Sequence, residues 1–225
     1  MKKLVIAIDG PAGAGKSTVA RLVAKNLNYT YIDTGAMYRG VAWKVLQGVP
    51  ASITESLICE VVKDIAIELN YMDGKLRVMV DGTDVTESIR TPEVTQLVSK
   101  VAQIAKVRGK MVMLQQVMAK NGGVVMDGRD ICTYVLPDAD VKLFLTASIE
   151  ERAMRRWKEL KDKGYDIELE DLKKEIAARD KADSEREIAP LVKAEDAKLL
   201  DTTKLSIDEA VVEILELCGC EQHVV

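Results

Sequence analysis

The stretch Leu4-Val5-Ile6-Ala7-Ile8-Asp9-Gly10-Pro11-Ala12-Gly13-Ala14-Gly15-Lys16-Ser17-Thr18 decides how the chain is read. Its first part belongs to an apolar, β-branched run over 3–8 that suits a strand buried on both faces of a parallel sheet. From Gly10 to Ser17 it matches G-x-x-x-x-G-K-[ST] at every position. Glycines let a backbone wrap closely around a phosphate with its N–H groups turned inward. The helix that follows, marked by Val19, Leu22, Val23 and Leu27, offers its positive end to the same anion. Lys16 is expected on a solvent-lined loop as a mobile charge for β- and γ-phosphates, and Ser17 as the hydroxyl on Mg²⁺. Gly10, Pro11, Ala12, Gly13, Ala14, Gly15, Lys16, Ser17 and Thr18 together form the expected triphosphate cradle. A glycine turn matching by chance would lack the strand before it and the helix after it.

Working outward, 29–33 reads as a second strand. Tyr38, Val41, Ala42, Val45 and Leu46 then trace one face of a helix. Strand and helix alternating at this spacing predict an α/β fold, a parallel β-sheet core flanked by helices. The middle of the chain differs. Ile65, Ile67 and Leu69 alternate with polar residues, as do Leu76, Val78 and Val80, and Asp73-Gly74 and Asp81-Gly82 sit where turns belong. A small antiparallel insertion is therefore expected between helices, followed by helices over 92–102 and 105–120. The parallel pattern resumes with strands at 123–126, 141–146 and 199–200. Ser148-Ile149-Glu150-Glu151 and Ser206-Ile207-Asp208-Glu209 read as capping boxes that open helices.

At 225 residues and roughly 150 per domain, one body with an insertion is favoured. Hydrophobic residues make up 48% and charged residues 30%, which excludes a disordered tail. The net charge of −4 argues against a general nucleic-acid binder. The apolar run from Leu4 to Ile8 falls short of the about 7–15 residues of a signal peptide core. No run approaches the ~20 apolar residues of a spanning helix. A cytoplasmic protein is expected, with no membrane partner. Cys59, Cys132, Cys218 and Cys220 show no CxxC spacing. Cys218, Cys220 and His223 give three donors where a structural zinc wants four, so reduced thiols are the better reading.

The loop implies a nucleoside triphosphate, and its use depends on what else is present. The chain carries neither the D-x-x-G nor the N-K-x-D of a GTPase switch. A small kinase remains, whose acceptor needs cations. Arg152, Arg155 and Arg156 share a helix face at i, i+3, i+4, although such a group reads equally as a solvated charged face. Arg179, Asp183 and Arg186 fall at i, i+4, i+7 of a later helix. Asp127-Gly128-Arg129-Asp130 follows a buried strand, at the carboxyl end where α/β sheets hold ligands. Arg39 and Arg108 complete the set.

Gly10 to Thr18, Asp33-Thr34-Gly35-Ala36-Met37-Tyr38-Arg39, Asp127-Gly128-Arg129-Asp130-Ile131 and Arg179-Asp180-x-x-Asp183-x-x-Arg186 resemble the bacterial cytidylate kinases over nearly the whole chain. The resemblance implies a P-loop nucleotide kinase of one domain. Its nucleoside monophosphate-binding insertion would lie at about 62–105 and its lid at about 150–168, by position in this sequence. It implies transfer of the γ-phosphoryl of ATP to CMP or dCMP with Mg²⁺. Ser99, Arg108 and Asp130 would read cytosine, and Asp183 would hold the ribose. Thr34, Arg39 and Arg129 would meet the acceptor phosphate, helped by Arg179 and Arg186. Arg152, Arg155 and Arg156 would belong to the lid over the transferring group. ATP and CMP or dCMP are the only partners expected, and the chain is expected to act as a monomer. The family commonly has glycine where this chain has Cys132, a cost if that position needs positive φ.

The residues make sense of this chemistry unaided. A nucleoside monophosphate has a second pKa of about 6, so its attacking oxygen is already ionised and no general base is required. Holding two polyanions together and neutralising charge falls to arginines, Lys16 and Mg²⁺. A kinase accepting UMP, AMP or a non-nucleotide remains open at this point. So does a non-catalytic nucleotide sensor, although such a protein has no use for an acceptor-phosphate clamp.

Overall fold

The computed structural model describes residues 3–48, 52–72, 75–162 and 164–219. They fall into two compact units, one formed by the chain up to Tyr31 together with Ala119 onward, the other by Ile32–Met118.

The first unit is built on β1 (Val5–Asp9), which pairs in parallel with β6 (Val124–Asp127) and with β7 (Val141–Thr146). Further out, β8 (Lys198–Asp201) pairs with β7, and β2 (Thr30–Asp33), within which the unit boundary falls, forms the other edge, giving the order β2-β6-β1-β7-β8. β6 is buried along its whole length and β1 in all but its first residue, as a sheet covered on both faces requires. The register sets Ile8 beside Asp127 and Asp9 beside Phe144. Two acids thus end neighbouring strands at the carboxyl edge. Helix α1 (Lys16–Leu27) covers the sheet with Val19, Ala20, Val23 and Ala24 and packs against α8 (Ile207–Leu217). Its C-terminus closes at Asn28, whose φ of 53° is left-handed.

Helices α6 (Ile149–Asp162) and α7 (Leu169–Glu185) pack on each other. Ser206 and Glu209 form the expected reciprocal capping box at α8. At α6 only half of one forms. Glu151 N donates to Ser148 Oγ, but the Glu151 carboxylate is taken by Arg155, and Ser148 N donates to Thr203 Oγ1 instead.

The second unit contains α2 (Thr34–Gln47), α3 (Glu55–Asp64), β3 (Ile67–Met72), β4 (Lys75–Val80), β5 (Thr83–Asp84), α4 (Pro92–Val101) and α5 (Ala105–Ala119, ending at the unit boundary). The three strands form an antiparallel sheet. Asp81 and Gly82 turn between β4 and β5 with φ of 49° and 77°, both left-handed as a two-residue hairpin loop requires. The Asp73-Gly74 turn lies outside the described residues. Gly40 lets α2 approach the sheet, since a Cβ there would stand 3.0 Å from Val80 Cγ2.

Helix α3 is a departure from expectation. Ile58 and Val62 bury one short stripe, too narrow to separate from the alternation that follows it. Arg186 is a second. It caps α7 in extended backbone rather than continuing the helix face of Arg179 and Asp183.

Candidate active site

The phosphate loop joins β1 to α1, and its shape is imposed from outside, because glycine, proline and alanine carry no polar side chains. Gly10 has φ 147°, and a Cβ there would lie 1.9 Å from Leu145 O. No other residue fits. Helix α1 begins at Lys16 after a left-handed Gly15, with no side-chain cap and no acid in its first turn. Its leading N–H groups are thus kept for an anion.

Lys16 is only 5% exposed, so it does not sit on a solvent-lined loop as expected. The loop closes over its own lysine, whose Nζ donates to Pro11 O at 2.7 Å. Its pKa is lowered well below that of an ordinary lysine, first by burial and then by Arg129 and Arg179, with Asp127 and Asp9 opposing. Arg129 and Arg179 thus stand close enough to Lys16 for their charges to oppose its own, and cations gathered in this way favour a polyanion.

Ser17 Oγ donates to Asp127 Oδ2 at 2.9 Å, and Tyr31 OH donates to the other carboxylate oxygen at 2.7 Å. Hydroxyl and carboxylate oxygens side by side are the donor type Mg²⁺ takes from a phosphate-loop protein. The residues present fit the ion. The sequence reading names Ser17 alone for the ion, and the only sequence signal for Asp127 beside it is an acid ending the strand next to the loop strand. Cys220 and His223 lie outside the described residues. Among the described residues no group of three or more His, Cys, Asp or Glu side chains is placed to hold a metal ion.

Asp9 is fully buried and accepts N–H bonds from Ile131 and Cys132, each 2.8 Å. Its pKa rises from 3.8 to about 6, because burial outweighs those two bonds and the Asp130 charge adds to the rise. This bond pair anchors the single π turn Ile131–Val135 that follows Asp130. Cys132 does not have positive φ, so a side chain is tolerated there. Its Sγ lies 3.5 Å from Ala7 O and 3.6 Å from Leu143 O, and burial pushes the thiol well above its ordinary range.

Two arginine–aspartate pairs link this loop to α7 and its end. Arg129 Nε donates to Asp183 Oδ2 at 2.8 Å, and Arg186 Nη2 donates to Asp130 Oδ1 at 3.0 Å. Four of the expected acceptor-site residues are thus brought together as complementary pairs. Leaving the helix is what frees Arg186 to reach Asp130 and, through Nε, Ala189 O.

The three arginines of α6 separate. Arg152 is buried, donating Nε to Ala147 O and Nη1 to Ala12 O and Asp180 Oδ2. Arg155 donates to Thr202 Oγ1 and O, and Thr202 Oγ1 lies 3.3 Å from Ala14 O. Arg156 pairs with Glu159 of its own helix.

In the second unit, Asp33 caps α2 by accepting from Ala36 N, and Thr34 is buried. Arg39 Nη1 donates to Thr95 Oγ1 at 2.8 Å, tying α2 to α4. Arg108 is 1% exposed, donates to Ala102 O and lies 5.8 Å from the Tyr38 ring centroid. Ser99 is half-buried on α4.

The family profile of cytidylate kinase matches residues 6–219. A cytidylate kinase from Bacillus cereus (strain ATCC 10987 / NRS 248) is 56% identical over 216 residues, 96% of each chain. One from Bacillus thuringiensis (strain Al Hakam) is 57% identical over 214 residues, 95% of each. A crystal structure of an uncharacterized protein from Eubacterium ventriosum ATCC 27560 shares the fold. Its TM-score is 0.53 at 14% identity, over 97% of this chain and 100% of that one. A match running from the first core strand to the end of the last helix, with more than half the residues unchanged in such relatives, means that this chain belongs to the cytidylate kinase family.

Proposed function

We propose that the protein transfers the γ-phosphoryl group of ATP to CMP or dCMP, giving ADP and CDP or dCDP in pyrimidine nucleotide metabolism. The observation that carries this reading is the convergence of Lys16, Arg129 and Arg179 beside the phosphate loop. Family membership selects the cytidine acceptor. The loop amides of 13–18 hold the donor's phosphates, and Lys16 follows the charge that develops on them. Arg129, Arg179 and Arg186 bind the acceptor phosphate, whose attacking oxygen is ionised near neutral pH because its second pKa is about 6. A polyanion exchanges places with the carboxylates that hold Arg129 and Arg186, so the clamp is assembled before the substrate arrives.

Asp130, Ser99 and Arg108 read the base, Asp183 the ribose, and Thr34 and Arg39 assist at the acceptor phosphate. Arg155, Arg156 and the Nη2 of Arg152 serve the transferring group from the lid. Ser17 and Asp127 would hold Mg²⁺, which would supply charge neutralisation on the β- and γ-phosphates. Among the described residues no helix is long and apolar enough to cross a membrane. An ATP-consuming reaction and the unbridged Cys59 and Cys132 fit a cytoplasmic setting.

A coupled assay across CMP, dCMP, UMP and AMP tests the proposal. CMP and dCMP are expected to be converted fastest. Faster turnover of AMP or UMP overturns the substrate assignment. ATP binding with no monophosphate converted favours the sensor reading.

A further inference from the structure

Asp180 stands inside the Arg179–Arg186 motif, yet the reaction as read above gives it no task. One carboxylate oxygen holds a residue of the phosphate loop, and the other holds the arginine that bonds that same residue. Oδ1 accepts from Ala12 N at 3.0 Å, and Oδ2 accepts from Arg152 Nη1 at 2.5 Å, which in turn donates to Ala12 O at 2.9 Å. Ala12, Asp180 and Arg152 thus form a closed ring around a single loop residue. The Arg152 side chain is 9% exposed and that of Asp180 19%, so the pair is shielded from water where charge-assisted bonds are strongest. Helix α6 lies against the next residue as well, since a Cβ on Gly13 would come within 3.2 Å of Arg152 Cβ.

We propose that Asp180 is a positioning residue for phosphoryl transfer, holding the donor loop in its binding shape by clasping Ala12 together with Arg152. The loop needs such a hold. Gly10, Gly13 and Gly15 all have positive φ, and nothing in their side chains fixes it. Lys16 ties Pro11, Thr202 approaches Ala14, and Asp180 captures the N–H of Ala12. With both its backbone groups turned outward, Ala12 leaves the inward amides to the residues after it. Asp180 also sits one residue from Arg179 and one helical turn from Asp183 on α7. The same clasp therefore sets the donor loop in register with the helix bearing residues assigned to the acceptor.

The inference rests on the kinase reading only for its rate measurements, because donor affinity can be measured without any acceptor. The experiment compares wild type, Asp180→Ala, Arg152→Ala and the double variant. It measures MgATP dissociation constants by calorimetry, kcat and KM for ATP and CMP, and melting temperature. Displacing reacting groups by about 1 Å costs roughly 10²-fold. A loss of that order in kcat/KM for ATP, with weakened MgATP binding and CMP affinity within about twofold, is expected of Asp180→Ala by the same reasoning. The double variant is expected to lose less than the product of the two single losses, because both residues hold Ala12 in one ring. Asp180→Asn keeps one acceptor for Ala12 N while losing the charge that holds Arg152. It is expected to fall between wild type and Asp180→Ala, and it carries the test if Asp180→Ala does not fold. Native ATP parameters in a folded Asp180 variant, or losses that multiply in the double variant, overturn the proposal. A wild type that binds MgATP but leaves CMP unphosphorylated sinks the kinase reading instead, while the binding comparison still judges the clasp.

Discussion

The Asp127 carboxylate receives the Ser17 hydroxyl on one oxygen and the Tyr31 hydroxyl on the other, at 2.9 and 2.7 Å. Asp127 is therefore held in place before any ion arrives, by one residue assigned to the metal and one that only orients. Asp127→Asn keeps the shape but removes the charge. Loss of such a group costs roughly 10–100-fold in metal affinity or activity. The rate measured against Mg²⁺ concentration is expected to half-saturate correspondingly higher. An unchanged Mg²⁺ dependence would remove Asp127 from the metal site.

Lys16 is buried and electrostatically crowded by Arg129 and Arg179. Its ammonium is an unfavourable charge that a polyanion relieves, so its truncation harms catalysis far more than folding. Lys16→Ala is expected to lose roughly 10²–10³ in kcat while keeping its cooperative unfolding transition. Near-native turnover in that variant would refute the role given to the loop.

Asp9 gives a pH dependence whose sign follows from its environment. The folded carboxyl titrates at about 6 against an ordinary 3.8. Between those values the folded chain holds a proton that the unfolded chain has released, so stability falls as pH rises through the window. Above it both states are ionised and the loss is complete, on the order of 3 kcal/mol for about two pKa units. Asp9→Asn has no such slope, although its NH2 group replaces one of the two oxygens that accept from Ile131 and Cys132, so it starts from a weakened turn. Urea unfolding of both proteins at about pH 4 and about pH 7 isolates the effect. If wild type does not lose stability relative to the variant over that range, the burial argument fails.

Asp130 decides base choice in the proposed reaction. A carboxylate accepts from the exocyclic amino group of cytosine, whereas uracil opposes it with a carbonyl, setting two acceptors face to face. Asp130→Asn both donates and accepts, and it also weakens the hold on Arg186. The ratio of CMP to UMP kcat/KM is expected to fall, mainly through lost CMP activity. An unchanged ratio would leave Asp130 as support for Arg186 alone.

Much of this was legible in the chain because the signals are local. The apolar run before Gly10, the glycine spacing up to Lys16 and the stripe of Val19 and Val23 each lie within a few residues. Backbone sterics and helical periodicity act over that range, and they determine a phosphate loop on a parallel α/β core. The same locality exposes Arg129 and Asp130 at a strand end. It fails where two elements compete at short range, as at α3. It fails too at Arg186, which lies off the helix that its spacing implied and bonds Asp130.

What tertiary structure alone decided is which distant groups share a hydrogen bond. Ser17 meets Asp127 across 110 residues, Ile131 meets Asp9 across 122, and Ala12 meets Asp180 across 168. No periodicity encodes such pairs, since each depends on β6 pairing with β1 or on α7 packing against α6. Whether Cys132 could replace glycine was settled in the same way. Its backbone avoids positive φ, and its N–H is taken by Asp9 at the end of another strand.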